Sequence, residues 1–105
     1  MAKQRNLKFE KAARIYLDLR SFKVLEQNWS QGKNKIDVIA SKNNTLYFIT
    51  LKSLENTAQQ LDIAETRAED RAMEAYLLEN KITSKSEKAT ILIDPKSTSI
   101  VSFIS

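Results

Sequence analysis

The sequence of 105 residues contains no cysteine and no histidine. The absence of cysteine excludes disulfides and thiolate metal sites. The absence of histidine removes imidazole both as a base and as a metal ligand. Any acid–base or metal chemistry in this chain would therefore have to come from carboxylates, lysine or tyrosine.

Glycine and proline are also scarce, with one of each, so long irregular loops are not expected. No apolar run is long enough for a signal peptide or a membrane span, which predicts a cytoplasmic location and no membrane partner. Hydrophobic residues make up 42% of the chain and charged residues 29%. These fractions are typical of a globular protein, and the length predicts one domain over residues 1–105.

The net charge of +4 is unevenly distributed. Residues 1–52 have 11 Lys+Arg against 4 Asp+Glu, a net +7, whereas residues 53–105 have 6 against 9, a net −3. A basic half of this kind favours a surface that faces a polyanion, although solvated lysines are common in small proteins. The basic side chains concerned are Lys3, Arg5, Lys8, Lys11, Arg14, Lys33 and Lys35.

The hydrophobic pattern predicts seven elements in the order α-β-β-β-α-β-β. The predicted helices cover residues 7–20 and 55–80, and the predicted strands cover 22–29, 35–41 and 45–52, with two more in 89–105. The adjacent Asn43 and Asn44 are typical of a two-residue hairpin turn. Strands that are apolar on both faces predict an α/β sandwich, in which helices flank a central mixed sheet.

Side-chain periodicity also predicts which residues face the core. In the first strand, Val24 and Glu26 are expected on one side, and in the second strand Asp37 and Ile39 share a face. The predicted inner stripe of the second helix consists of Leu61, Ala64, Ala68, Ala72, Ala75 and Tyr76. The predicted ion pairs on its outer side are Arg67 with Asp70 and Arg71 with Glu74.

Two charged residues, Asp37 and Lys52, interrupt the apolar strands. The hairpin could bring Asp37 beside the end of the third strand, and the first helix could carry Glu10 to the same place. Two carboxylates suit a hard divalent cation such as Mg²⁺, and a lysine beside them can hold an attacking water or a strained phosphate. The alternatives are a structural Asp37–Lys52 ion pair and a Glu10 that only supports Arg14 on the helix surface.

Four short motifs spread over nearly the whole chain carry a family resemblance. Glu10 and Ala13 match a Gly-Glu-x-x-Ala pattern, and Asn28 and Trp29 match an Asn-Trp-Arg-like strand end. The pattern Gly-Glu-Ile-Asp-Leu-Ile-Ala is matched by Ile36, Asp37, Ile39 and Ala40. The pattern Phe-Val-Glu-Val-Lys is matched by Phe48 and Lys52. With these residues the chain resembles the YraN-type predicted endonucleases of bacteria. That family belongs to the restriction-endonuclease-like, PD-(D/E)XK superfamily, which also contains the archaeal Holliday-junction resolvases.

The resemblance implies a restriction-endonuclease-like fold and nucleic acid as the partner, DNA rather than RNA. It also implies a site that uses Mg²⁺ or Mn²⁺ if the protein is an active enzyme. In that site, Asp37, Glu10 and the backbone carbonyl of Leu51 would bind the metal, and Lys52 would place the attacking water.

The chain departs from the family pattern at four positions. Phe9 and Asn34 stand where the family has glycine, Lys35 stands at a glutamate, and Thr50 stands at the glutamate of Glu-x-Lys. A threonine hydroxyl is a poor ligand for Mg²⁺, so the resemblance implies a degenerate active site. Some members of the superfamily take the missing acid from the following helix, where Glu65 is the candidate here and Glu55 is nearer in sequence. Lys35 and Thr50 each replace a carboxylate, which makes the cleft more positive and favours phosphate binding.

The preferred hypothesis is therefore a nucleic-acid-binding protein with weakened or lost nuclease activity. It would contact phosphates through the basic side of the first helix and through Lys33 and Lys35. One alternative is an active metal-dependent endonuclease that uses Glu10, Asp37, Lys52 and a relocated acid. Another is a protein-interaction or dimerisation module, a homodimer that would need neither catalysis nor a cofactor. Trp29 is expected to pack in the core rather than to stack on a base.

Overall fold

The computed structural model describes residues 7–54 and 63–105, together with all of their side chains except those of 63–66. The elements are α1 (Leu7–Leu19), β1 (Lys23–Gln31), β2 (Asn34–Lys42), β3 (Thr45–Ser53), α2 (Ile63–Glu79), β4 (Lys85–Asp94) and β5 (Ser99–Ile104). This order confirms the predicted α-β-β-β-α-β-β arrangement. The predicted start of the second helix at residue 55 lies outside the described residues. Strand β4 begins at Lys85, in a segment that the sequence had indicated as a polar connector.

The five strands form one mixed sheet in the order β1-β2-β3-β4-β5. Strands β3 and β4 pair in parallel, and the other neighbours are antiparallel. A parallel pair needs a crossover connection, and α2 lies in that connection. Asn43 and Asn44 have φ values of 52° and 62°, as the predicted hairpin between β2 and β3 requires.

The two helices pack on opposite faces of the sheet. On the α1 face, Ala13 and Leu17 contact the buried side chains of Val38, Ala40, Ile49, Ala89, Ile91 and Ile93. On the α2 face, Ala72 and Tyr76 contact Ile36, Ile39, Leu46 and Phe48. Because adjacent residues of a strand point to opposite faces, a strand such as β3 supplies Phe48 to one layer and Ile49 to the other. The predicted sheet with apolar layers on both faces is confirmed.

A β-bulge changes the alternation in β1. Val24 pairs with Ala40, but Glu26 pairs with Ile39, so Leu25 is the extra residue. Val24 consequently packs on the α1 face, whereas Glu26 hydrogen-bonds Tyr76 on the α2 face. The prediction that Val24 and Glu26 share a side is wrong, because one inserted residue reverses the alternation.

The alternation also breaks near Asp37 in β2. Ile36 and Ile39 both pack on the α2 face although they are three residues apart. In the opposite strand, Asn28 lies between the paired residues Gln27 and Trp29 and has a φ of 54°. A left-handed residue within a strand twists the local ladder, and Asp37 lies at this irregularity.

Helix α2 presents a stripe to the sheet that agrees in part with the one predicted. Ala72 and Tyr76 are buried, as predicted, whereas Ala68 is exposed and Met73 and Leu77 pack beside the buried pair. Asp70 forms its ion pair with Lys88 of β4, at 2.5 Å, rather than with the predicted Arg67. Alanine fits either an exposed or a buried position, so the alanine pattern alone did not determine the rotation of this helix. Leu61 and the side chain of Ala64 lie outside the described residues.

Within the residues that the structure describes, no helix has the length and apolarity that crossing a bilayer requires.

Candidate functional site

The carboxylate of Asp37 lies at the point where β2 and β3 stop pairing. The ladder between these strands runs from Lys42 opposite Thr45 to Val38 opposite Ile49. Beyond its end, Asp37 Oδ2 accepts a hydrogen bond of 2.8 Å from the backbone N–H of Leu51. The hairpin therefore places Asp37 against the segment that contains Thr50 and Lys52.

Thr50 faces α2 from the neighbouring position in β3. Its hydroxyl donates a hydrogen bond of 3.4 Å to Glu69 Oε2, a long contact for this type of bond. The two residues line a small pocket on the α2 face together with Lys35, Ile36, Phe48 and Lys88. The position where the family pattern has an acid is thus in contact with an acid from the following helix.

Glu69 is a residue that the sequence analysis missed, since Glu65 and Glu55 were named instead. The signal was present, because Glu69 lies three residues before Ala72 and seven before Tyr76, the two buried residues of α2. Glu65 was predicted instead because it is in line with Leu61, Ala68 and Ala72, and Ala68 is exposed in the structure. Glu55 and the side chain of Glu65 lie outside the described residues.

Glu10 and Lys52 are both half-buried. The backbone carbonyl of Glu10 accepts a hydrogen bond of 3.0 Å from Gln27 Nε2. Gln27 lies opposite Val38 in the β1–β2 ladder, one residue from Asp37, so it anchors the first half of α1 beside this part of β2. Gln27 was missed as well, and no motif in the sequence marks it.

The basic side chains predicted to contact nucleic acid are all exposed where the structure describes them. Lys8, Lys11 and Arg14 lie on α1, and Lys33 and Lys35 lie at the β1–β2 hairpin. Arg14 Nε is 3.8 Å from Asp18 Oδ2, and both side chains are about half exposed, so this surface pair contributes little to stability. Lys3 and Arg5 lie outside the described residues.

A metal ion has few candidate ligands at the end of β3. Asp37 and Glu69 are two carboxylates that contact consecutive residues, Leu51 and Thr50. In the described part of the chain, no three acidic side chains lie close enough together to hold a metal ion. Mg²⁺ keeps several of its waters and is often bound through one or two carboxylates. The donor set therefore fits a hydrated hard cation with two carboxylate ligands at most.

Tyr76 connects α2 to the β1–β2 hairpin. Burial raises the pKa of the Tyr76 hydroxyl above 10.0, and its hydrogen bond to Glu26 and the negative charges of Glu26 and Glu79 raise it further. The indole ring of Trp29 meets the Tyr76 ring edge-on, with the ring centroids 5.3 Å apart. Trp29 thus packs in the core, as predicted.

Comparison with known proteins places these motifs in one family. Residues 9–94 match the model of the "Uncharacterised protein family UPF0102", a range that includes every motif residue from Glu10 to Lys52. A UPF0102 protein of Bacteroides thetaiotaomicron is 29% identical over 73 residues, which cover 65% of this chain and 60% of that protein. The match therefore spans less than two thirds of that relative. A UPF0102 protein of Campylobacter lari is 32% identical over 78 residues, covering 71% and 70% of the two chains.

A solved structure shares the fold. The crystal structure of a FdxN element excision controlling factor protein from Anabaena variabilis superposes with a TM-score of 0.50 at 12% identity, covering 95% of this chain and 100% of that chain. At this identity the similarity concerns the fold alone. Together with the element order and the mixed sheet, it confirms the predicted restriction-endonuclease-like α/β class.

Proposed function

The chain belongs to the uncharacterised family UPF0102, the YraN-like family that its motifs predicted, and from this premise we propose that it binds nucleic acid on an endonuclease-like fold with a weakened or lost metal site. DNA is the favoured ligand. The cytoplasmic location and a homodimer stay predictions.

The hydroxyl of Thr50, beside the hydrogen bond of Asp37 to the Leu51 amide, carries this proposal. That hydrogen bond holds the Asp37 carboxylate in place and leaves it further lone pairs, so Asp37 can still be a ligand. The neighbouring position, where the family pattern has its second acid, has only a hydroxyl. This loss weakens the attraction for a divalent cation, while the fold and the exposed lysines remain.

Binding is expected through phosphate contacts with little sequence readout. Lys8, Lys11, Lys33 and Lys35 are exposed and lie in the half of the chain that has a net charge of +7. Each phosphate that a lysine neutralises releases condensed counterions, so the affinity should fall steeply as salt rises.

Charge neutralisation tests the binding. The variant Lys8→Gln/Lys11→Gln should bind a DNA oligonucleotide more weakly and reduce the salt slope by about one per lost phosphate contact. The matched control is Lys85→Gln/Lys96→Gln, which removes two exposed lysines of the other half. Equal losses in both variants, or no measurable affinity at low salt, would contradict a specific basic face.

A second function, an active endonuclease, is favoured by the contact between Thr50 and Glu69. In this case Asp37 and Glu69 would hold a Mg²⁺ or Mn²⁺ ion, which would polarise the scissile phosphate, with Glu10 and the Leu51 carbonyl as further predicted ligands. Lys52 would orient the attacking water.

The two functions differ in a cleavage assay with Mg²⁺ and Mn²⁺ on single-stranded, duplex and branched DNA. Cleavage that is lost in Glu69→Gln but kept in Glu74→Gln, an exposed control on the same helix, would support the endonuclease. Binding without cleavage of any of these substrates would support the first function.

A further inference from the structure

Four half-buried aromatic rings meet on the α1 face, at the end of the sheet where β2 turns into β3. Phe22 contacts Tyr47 with ring centroids 5.2 Å apart and Phe103 with centroids 5.6 Å apart. Phe103 also lies 6.3 Å from Tyr47 and 6.4 Å from Tyr16, and the last pair is stacked. We refer to these four rings as the aromatic surface.

The rings come from four elements of the chain. Tyr16 is on α1, Phe22 precedes β1, Tyr47 is on β3 and Phe103 is on β5. Strand β4 lies between β3 and β5 and contributes Ala89, Ile91 and Ile93 to this face. Of these, Ala89 is small and leaves room for rings from the two flanking strands to meet. None of these rings belongs to a family motif.

Two cations lie over the aromatic surface. The guanidinium carbon of Arg20 is 5.0 Å from the centre of the Tyr16 ring, and Lys42 Nζ is 4.9 Å from the centre of the Phe22 ring. Both distances are within the range of cation–π attraction. Glu87 lies opposite Tyr47 in the β3–β4 ladder. Its Oε1 atom is 3.8 Å from Lys85 Nζ, so this acid is paired with a cation.

We propose that the aromatic surface binds unpaired bases, which makes single-stranded nucleic acid the preferred ligand. This inference rests on the proposed nucleic-acid binding. Proteins that bind single strands combine aromatic rings, on which bases stack, with a positive surface that follows the backbone. Arg20 and Lys42 supply donors for phosphates beside the rings. A duplex keeps its bases stacked on each other and cannot offer them to the protein.

Helix α1 connects the aromatic surface with the candidate site. Arg20 follows the C-terminal end of α1, and Lys8 and Lys11 lie near its beginning. Gln27 anchors the carbonyl of Glu10 one residue from the position of Asp37. The 13 residues of α1 span on the order of 20 Å, a distance that a short single strand can cover. The exposed cations Lys11 and Arg14 lie between these two places along the helix.

Stacking can be measured without changing the protein. A DNA single strand is compared with an abasic strand of equal length, which keeps every phosphate and lacks the bases, and with the corresponding duplex. Binding to the wild-type chain is followed by fluorescence anisotropy at low salt. We expect the abasic strand and the duplex to bind roughly tenfold more weakly or worse, the order of loss found when one stacking contact is removed.

Variants then locate the effect. Tyr47→Leu, which removes a ring, should reduce the preference for the ordinary strand over the abasic strand. Arg20→Gln/Lys42→Gln, which removes two phosphate donors, should weaken the binding of both strands by a similar factor. A control variant, Lys81→Gln/Lys96→Gln, removes two exposed lysines that take no part in the aromatic surface and should leave that preference unchanged. The preference is the ratio of two affinities measured on the same protein sample. Partial unfolding of a variant lowers both affinities by the same factor and therefore does not change this ratio.

The outcomes separate this inference from the proposed function. Equal affinity for the ordinary and the abasic strand overturns base stacking and leaves phosphate binding in place. A preference that persists unchanged in Tyr47→Leu overturns the assignment to the aromatic surface. No binding of any strand at low salt overturns the nucleic-acid function itself.

Discussion

The side chain of Asp37 accepts, at 2.8 Å, the hydrogen bond of the Leu51 backbone amide just beyond the end of the β2–β3 ladder. The residue that resembles a catalytic acid therefore also joins two strands where they separate. This structural role gives a reason to retain an aspartate at position 37 even if the neighbouring acid is lost. The structural and catalytic roles can be separated by substitution.

Asp37→Asn should be more stable than Asp37→Ala. Asparagine keeps an oxygen that can accept the hydrogen bond from Leu51, whereas alanine leaves the half-buried amide without this partner. We expect a loss of about 1–3 kcal/mol in the free energy of unfolding for Asp37→Ala and a smaller loss for Asp37→Asn. Urea denaturation followed by the fluorescence of Trp29 measures both. Equal losses would show that the Leu51 hydrogen bond is not what Asp37 contributes to stability.

Thr50→Glu should destabilise the chain less when Glu69 is neutralised. The new carboxylate would lie beside that of Glu69, which now contacts the Thr50 hydroxyl, and two like charges in a partly buried position repel. Thr50→Glu/Glu69→Gln should therefore be more stable than the sum of the single changes predicts, by about 0.5–3 kcal/mol. Mn²⁺ should raise the melting temperature of Thr50→Glu more than that of the wild type, because a bound cation offsets this repulsion. The control is Thr50→Glu/Glu74→Gln. If this variant also exceeded the stability that its single changes predict, a specific interaction between positions 50 and 69 would be excluded.

Tyr76→Phe should reduce the loss of stability at alkaline pH. The pKa of Tyr76 is raised above 10.0 in the folded chain, so above this pH the unfolded chain ionises first. The contribution of protonated Tyr76 to the free energy of unfolding is complete below pH 10. It is lost as the pH rises through the pKa that Tyr76 has in the folded chain. In Tyr76→Phe, the loss of stability that Tyr76 causes above pH 10 should be absent, whereas Tyr47→Phe should still show it. Denaturation midpoints measured across this pH range test the difference, and identical curves for the two variants would contradict it.

Leu17→Ala should cost far more stability than Leu19→Ala. Both residues are on α1, but Leu17 is fully buried against the sheet and Leu19 is 79% exposed. We expect a loss of about 2–5 kcal/mol for Leu17→Ala and a change within about 0.5 kcal/mol for Leu19→Ala. Similar losses in thermal unfolding would mean that α1 does not pack on the sheet through Leu17.

Several features of the fold could be read from local patterns. The Asn43–Asn44 pair tolerates positive φ values, so the β2–β3 hairpin was predictable from two residues. The apolar runs around Ile39 and Ile49 required cover on both faces of a sheet. Such signals depend on a few neighbouring residues, and the physical preference behind each is the same in any protein.

The candidate site was only partly predictable. Asp37 and Lys52 interrupt apolar strands and match a family motif, so they were found. Glu69 was missed because the alanines of α2 lose little whether exposed or buried, and so do not determine which side of the helix faces the sheet. Gln27 was missed because its partner, the carbonyl of Glu10, is distant in sequence.

By itself, the sequence determined the element order, the hairpin, the family and the replacement of an acid by Thr50. Only the tertiary structure decided that Asp37 bonds the Leu51 amide, that Glu69 reaches Thr50, that a bulge at Leu25 sends Glu26 to Tyr76, and that four rings meet on the α1 face. The physical reason is that backbone preferences act between near neighbours, whereas these contacts join residues that are distant along the chain. Their geometry depends on strand register, bulges and helix rotation, which are set by the packing of the whole chain.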